Sequence, residues 1–176
     1  MPIILIIVVL LAVFVAYVAS KPSAFRFERS TIVNASPEKI APLITDFHEW
    51  AKWSPFENTE VVGELKKTFS GADKGVGAIY EWEGKKTGAG RMEMTDVQPN
   101  KITIDLQFTR PFKAHNTAEF IMEPQGDSTK LTWAMSGNNN FMMKAMHTVM
   151  NMDRLLSKDF DKGLAAIKAE AEKSTT

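Results

Sequence analysis

The chain has 176 residues, 21 lysines and arginines against 21 aspartates and glutamates, and no cysteine. That length points to one domain with a real core. Balanced charge offers no electrostatic footprint for nucleic acid, and the missing thiols exclude disulfides and thiolate chemistry.

The first element differs in kind from the rest. From Ile3 to Ala19 the sequence reads IILIIVVLLAVFVAYVA, without a charge, glycine or proline. As a helix this run spans roughly 25 Å, near the lower limit for crossing a bilayer. A cleaved signal peptide is the rival reading, with Val18 and Ser20 flanking a cleavage site, but no basic stretch precedes the apolar run. The segments are read as 1–20, an uncleaved transmembrane anchor; 21–24, a linker; and 25–176, one further domain. Lys21, Arg26 and Arg29 follow the span and none precedes it, so the positive-inside rule leads us to expect that domain on the cytoplasmic side of a single-pass membrane protein.

Phe25 to Val33 is rich in β-formers. Ser36-Pro37-Glu38 then predicts a helix start, with a serine N-cap, proline at the first helical position and an acid in the first turn. Ile40, Leu43, Ile44 and Phe47 form a short amphipathic piece, and "HEWAKWSPFE" at 48–57 sets Trp50 and Trp53 on one helical face before Ser54-Pro55 stops the helix. Short alternating runs follow. Their inward sets are Val61, Leu65 and Phe69; Val76, Ala78, Tyr80 and Trp82; Met92 and Met94; Ile102, Ile104, Leu106 and Phe108; Ala118, Phe120 and Met122; and Leu131, Trp133 and Met135. Period-2 alternation means one dry face and one wet face, as in an antiparallel sheet. Turn chemistry at Gly71–Asp73, Gly84–Gly88, Gln98–Asn100 and Pro124–Ser128 separates the runs, giving seven strands with the first one.

A long helix is predicted over 141–173. Lys144, His147, Asn151, Arg154, Lys158 and Lys162 make a narrow polar stripe, opposite a wide apolar face from Met142 to Ile167. Gly163 lies on that apolar face, where a missing side chain allows close approach to the sheet. One dry sheet face must be covered, and the long helix is what can cover it. A curved sheet around such a helix leaves a cavity between them.

The residues from about Phe27 to Glu172 resemble the START-like, birch-pollen-allergen-like superfamily, in particular its polyketide cyclase/dehydrase and lipid-transport (SRPBCC) members. "ASPEKIAPLITDFHEWAKWSPF", "GVGAIYEWEG" with "GAGRMEM", "LTWAMSG" and "MNMDRLLSKDFDKGLAAIKAEAE" carry the resemblance. It implies an α+β helix-grip fold: a curved seven-stranded antiparallel sheet around a long C-terminal helix, with two short helices after the first strand. Activity is not implied, because one fold of this kind hosts carriers, binders and cyclases.

Five of the ten methionines fall within 138–153. Apart from Met1, all sit on elements expected to line the interior, and methionine adapts to irregular apolar shapes. Either they make a soft packed core or they line an adaptable pocket for a lipid-like or polycyclic molecule. The candidate ligand-binding set is Trp53, Tyr80, Trp82, Met92, Met94, Phe108, Phe120, Met122, Trp133, Met135, Met142, Met146, Val149 and Asp153. A buried Asp153 must have a partner, reach solvent or stay protonated. It is either structural, with Arg110 at inward parity as one partner, or a polar contact to ligand. His48, His115 and His147 are isolated, the glycine-rich "GADKGVG" and "GKKTGAG" are hairpin turns, and Glu81 and Glu83 face outward. No catalytic motif, metal site or cofactor site assembles, which favours binding over catalysis. Expected partners are a hydrophobic small molecule or lipid, and the membrane through the N-terminal helix, with no nucleic acid. A cyclase or dehydrase acting on an apolar substrate is the second class, and an interaction module or chaperone cofactor is a third.

Overall fold

Alternation along the chain becomes a single antiparallel sheet whose first strand pairs with its last. The computed structural model describes residues 2–58, 63–150 and 152–173, without the side chains of Met152, Asp153 and Leu155. Helix α1 (Pro2–Ser20) precedes strand β1 (Ala24–Val33), helix α2 (Pro37–Thr45) and two 3₁₀ turns, Phe47–Lys52 and Pro55–Glu57. Strands β2 (Leu65–Gly71), β3 (Ala78–Gly84), β4 (Gly88–Gln98), β5 (Lys101–Arg110), β6 (Ala114–Gln125) and β7 (Ser128–Asn138) come next. Helices α3 (Phe141–Val149) and α4 (Met152–Ala171) follow.

The sheet order is β1-β7-β6-β5-β4-β3-β2, with every neighbour antiparallel. Consecutive strands from β2 to β7 form a meander, which needs only short turns. Met94, Ile102, Ile104, Phe120, Met122 and Leu131 are fully buried on its inner face. Phe160, Leu164 and Ile167 of α4 and Ile40 and Ile44 of α2 join that core. This is the α+β helix-grip architecture expected from the sequence.

Local chemistry fixes how the covering elements sit. Ser36 has the extended backbone of an N-cap, with Pro37 beginning the helix, but its hydroxyl makes no capping bond. At the other end of α2 the orphan carbonyls of Leu43 and Ile44 accept from the indole N–H groups of Trp53 and Trp50, at 2.7 and 2.9 Å. Two tryptophans thereby close the helix end while their rings enter the core. Gly163 brings α4 onto Trp133, since a Cβ there would lie 2.7 Å from the indole.

Three details differ from the sequence reading, and a fourth lies beyond test. The predicted continuous helix over 141–173 is two helices, because Met150 is extended (φ −108°, ψ 134°) and α3 packs mainly against α1. Arg110 does not face inward: Ala89 pairs with Arg110 and Gly90 with Phe108, so a bulge at Thr109 reverses the parity and Arg110 pairs outside with Glu83. Val76 is exposed, because β3 begins only at Ala78. Val61 lies outside the described residues.

Candidate functional site

Between the inner sheet face, the 3₁₀ turns and α4 lies a cavity of about 480 Å³, within the range of small-molecule sites. Its wall is largely aromatic and aliphatic. Tyr80 and Trp82 on β3, Met92 on β4, Leu106 and Phe108 on β5, Ala118 on β6 and Trp133 and Met135 on β7 form the sheet side. Leu156 and Phe160 of α4 and Trp50, Ser54, Phe56 and Glu57 of the turns face them, with Lys86 and Thr87 from the β3–β4 hairpin. Phe56 and Lys86 are exposed, so the cavity opens to solvent at their end.

Packing holds these walls rigidly. Trp133 stacks on Phe160 at 4.1 Å with the ring planes 9° apart, and on Phe120 at 5.2 Å. Trp82 meets Phe108 edge to face at 5.6 Å. The Trp82 indole lies over Gly90, where a Cβ would come within 2.3 Å of it. Aromatic pairs in this geometry contribute about 0.5–1.5 kcal/mol each beyond the area they bury.

One corner is polar. The Glu57 side chain, only 3% exposed, forms an ion pair with Lys67 and sits beside the Tyr80 hydroxyl. Burial, followed by the Glu57 charge, pushes the Tyr80 hydroxyl far above the usual phenol range, so it keeps its proton. Among the described residues, the buried side-chain polar atoms without a partner are Ser54 Oγ, Glu57 Oε1 and Thr87 Oγ1. All three residues line the cavity. Desolvation without a hydrogen bond costs about 1–3 kcal/mol per group.

Of the residues singled out in the sequence, Tyr80, Trp82, Met92, Phe108, Trp133 and Met135 line the cavity. Trp53, Met94, Phe120 and Met122 lie in the packed core behind it. Met142, Met146 and Val149 belong to α3, away from the cavity wall. The Asp153 side chain lies outside the described residues. Sequence reasoning passed over Leu106, Ala118, Leu156 and Phe160 although parity or helix face pointed to them. It had no signal for Ser54, Glu57 and Thr87. The histidines sit elsewhere: His48 stacks on Phe69 and bonds Asp46, His115 pairs with Asp105, and His147 meets the edge of Phe25. No cluster of three metal-binding side chains occurs among the described residues.

The model of one protein family, described as polyketide cyclase / dehydrase and lipid transport, matches residues 24–172. No curated protein matches the sequence. Among solved structures, a protein from Chromobacterium violaceum is 17% identical with a TM-score of 0.61, covering 88% of this chain and 100% of that one. The di-domain ARO/CYC StfQ from the steffimycin biosynthetic pathway is 12% identical with a TM-score of 0.63, over 86% of this chain and 51% of that one. Ara h 8.0201 is 11% identical with a TM-score of 0.56, over 86% and 99%. Identities this low show a shared fold and nothing finer.

Proposed function

The chain belongs to the polyketide cyclase / dehydrase and lipid transport family of the START-like superfamily, and from that premise we propose that it binds or transfers a hydrophobic small molecule, lipid-like or polycyclic, while α1 anchors it in a membrane. The cavity carries this reading: aromatic walls on two sides, aliphatic side chains between them, and one polar corner to orient an otherwise apolar guest. The apolar helix α1 supports the anchoring, being long enough to cross a bilayer and exposed along nearly its whole length. A pocket held beside the bilayer is held beside the source of such guests.

Titration of the full chain with a naphthalene-type dye or a fluorescent fatty acid tests the proposal. Saturable binding of about one dye per chain is expected. Ala118→Leu, which projects into the cavity, should weaken it about tenfold, equivalent to about 1.4 kcal/mol. Failure of every apolar probe to saturate would refute the reading.

A cyclase or dehydrase reaction is the second reading, favoured by the Glu57 carboxylate beside the Tyr80 hydroxyl in the wall. A phenol whose proton is held this tightly orients a guest well and abstracts a proton poorly, so binding ranks first.

A further inference from the structure

Helix α3 has almost no place in the domain's core. It packs against α1, and Phe141, Met142, Val149 and the adjoining Met150 are exposed at 47%, 54%, 75% and 49%. At 100° per residue, Phe141, Met142 and Val149 fall within about a third of the helix circumference, with Ala145 between them. Lys144 and His147 lie on other sides of the helix, and residues 138–150 contain no acid.

The position of this face is fixed by α1. A helix of 19 residues measures about 28 Å, against a hydrocarbon core of about 30 Å, so an inserted α1 has no length to spare. Its last turn must therefore stand at the lipid–water boundary. Val18, in that turn, is the buried residue of α1. Asn139, just before α3, donates to the Ser23 carbonyl at 2.8 Å, tying the start of α3 to the chain leaving α1. Lys21 lies 4.4 Å from the centre of the Tyr17 ring, an aromatic–cation pairing suited to a membrane boundary.

We infer that α3 is a second membrane contact, lying in the interfacial plane with Phe141, Met142, Val149 and Met150 buried at the acyl boundary and Lys144 directed to anionic head groups. A cationic amphipathic helix of this kind gains from both apolar burial and anionic lipid. The inference rests on α1 residing in the bilayer. Two contacts would fix the tilt of the domain, and α4, the next helix in the chain, carries Leu156 and Phe160 of the cavity wall.

The chain has no cysteine, so single labels can be placed without background. The full chain, reconstituted in phosphatidylcholine vesicles with a minority of phosphatidylglycerol, would carry an environment-sensitive dye at Leu10→Cys, Met142→Cys, Val149→Cys or Asp127→Cys. Lipids bearing a shallow quencher should quench the dye at 142 and 149 several-fold more than at 127, and a deep quencher should act on position 10. A quenched position 10 with unquenched 142 and 149 would overturn the contact while leaving the anchor standing. The same result with blue-shifted emission at 142 would identify a second protein copy as the cover. An unquenched position 10 would overturn both. Val149→Asp with Met150→Asp, at exposed positions, should abolish the quenching at 142 without altering the melting temperature.

Discussion

Glu57 puts a charge in the wall of an apolar cavity, and Lys67 offsets it. Removing one member of a buried pair typically costs about 3–5 kcal/mol. Lys67 is 24% exposed and can recover some hydration, so Glu57→Gln should cost about 2–3 kcal/mol. Glu57→Gln with Lys67→Met should recover part of that loss, and chemical denaturation of the two variants measures the coupling. Glu119 makes a second, pH-dependent case on the outer face. Hydrogen bonds from Lys101 and then Arg26 hold its carboxyl below the ordinary value of about 4.5. A folded pKa below the unfolded one stabilises the protein above that ordinary value, and the gain vanishes as pH falls through the folded pKa. Glu119→Gln should therefore lower stability by about 1 kcal/mol near neutral pH and by nothing once the carboxyl is protonated. Melting curves of both proteins across the acid range should converge, and a constant gap would remove the charge from the explanation. The sequence announced neither Glu57 nor the outward turn of Arg110. Glu57 sits in a three-residue turn with no periodicity to read, and the outward turn of Arg110 depends on a bulge that alternation alone does not announce.

Helix α4 meets the sheet at Gly163, where Trp133 and Pro55 leave no room for a side chain. Gly163→Leu should push α4 off the Trp133–Phe160 stack and destabilise the domain by about 1–3 kcal/mol. Lys162→Ala, one residue away and exposed, should change the melting temperature little. The strands were legible because each inward set has one strict parity, and the apolar face of α4 because a helical period survives over twenty residues. The break at Met150 was not. No glycine or proline occurs from 141 to 162, and the change of direction comes from the packing of α3 on α1, a contact between segments far apart in sequence. The same contact explains why Met142, Met146 and Val149, chosen for the pocket by helical phase, stand outside it.

The whole molecule pairs a cavity of apolar character with a helix long and apolar enough to cross a membrane. A first strand, six alternating runs and one wide-faced helix were enough to specify the layered architecture, whereas the cavity depends on side chains that fall short of meeting, a property no single element carries. If α1 is a retained anchor, the full chain should sediment with membranes and stay there through alkaline carbonate washing. A chain beginning at Ser23 should remain folded, since α1 touches the rest mainly through α3, and it should leave the membrane fraction. Its exposed α3 face should still give it weak, salt-sensitive binding to anionic vesicles, because a short amphipathic helix holds far less tightly than a spanning one. N-terminal sequencing of the membrane-derived protein separates the anchor from its rival: a mature chain starting at Lys21 would make the apolar helix a removed signal and place the domain on the other side of the membrane.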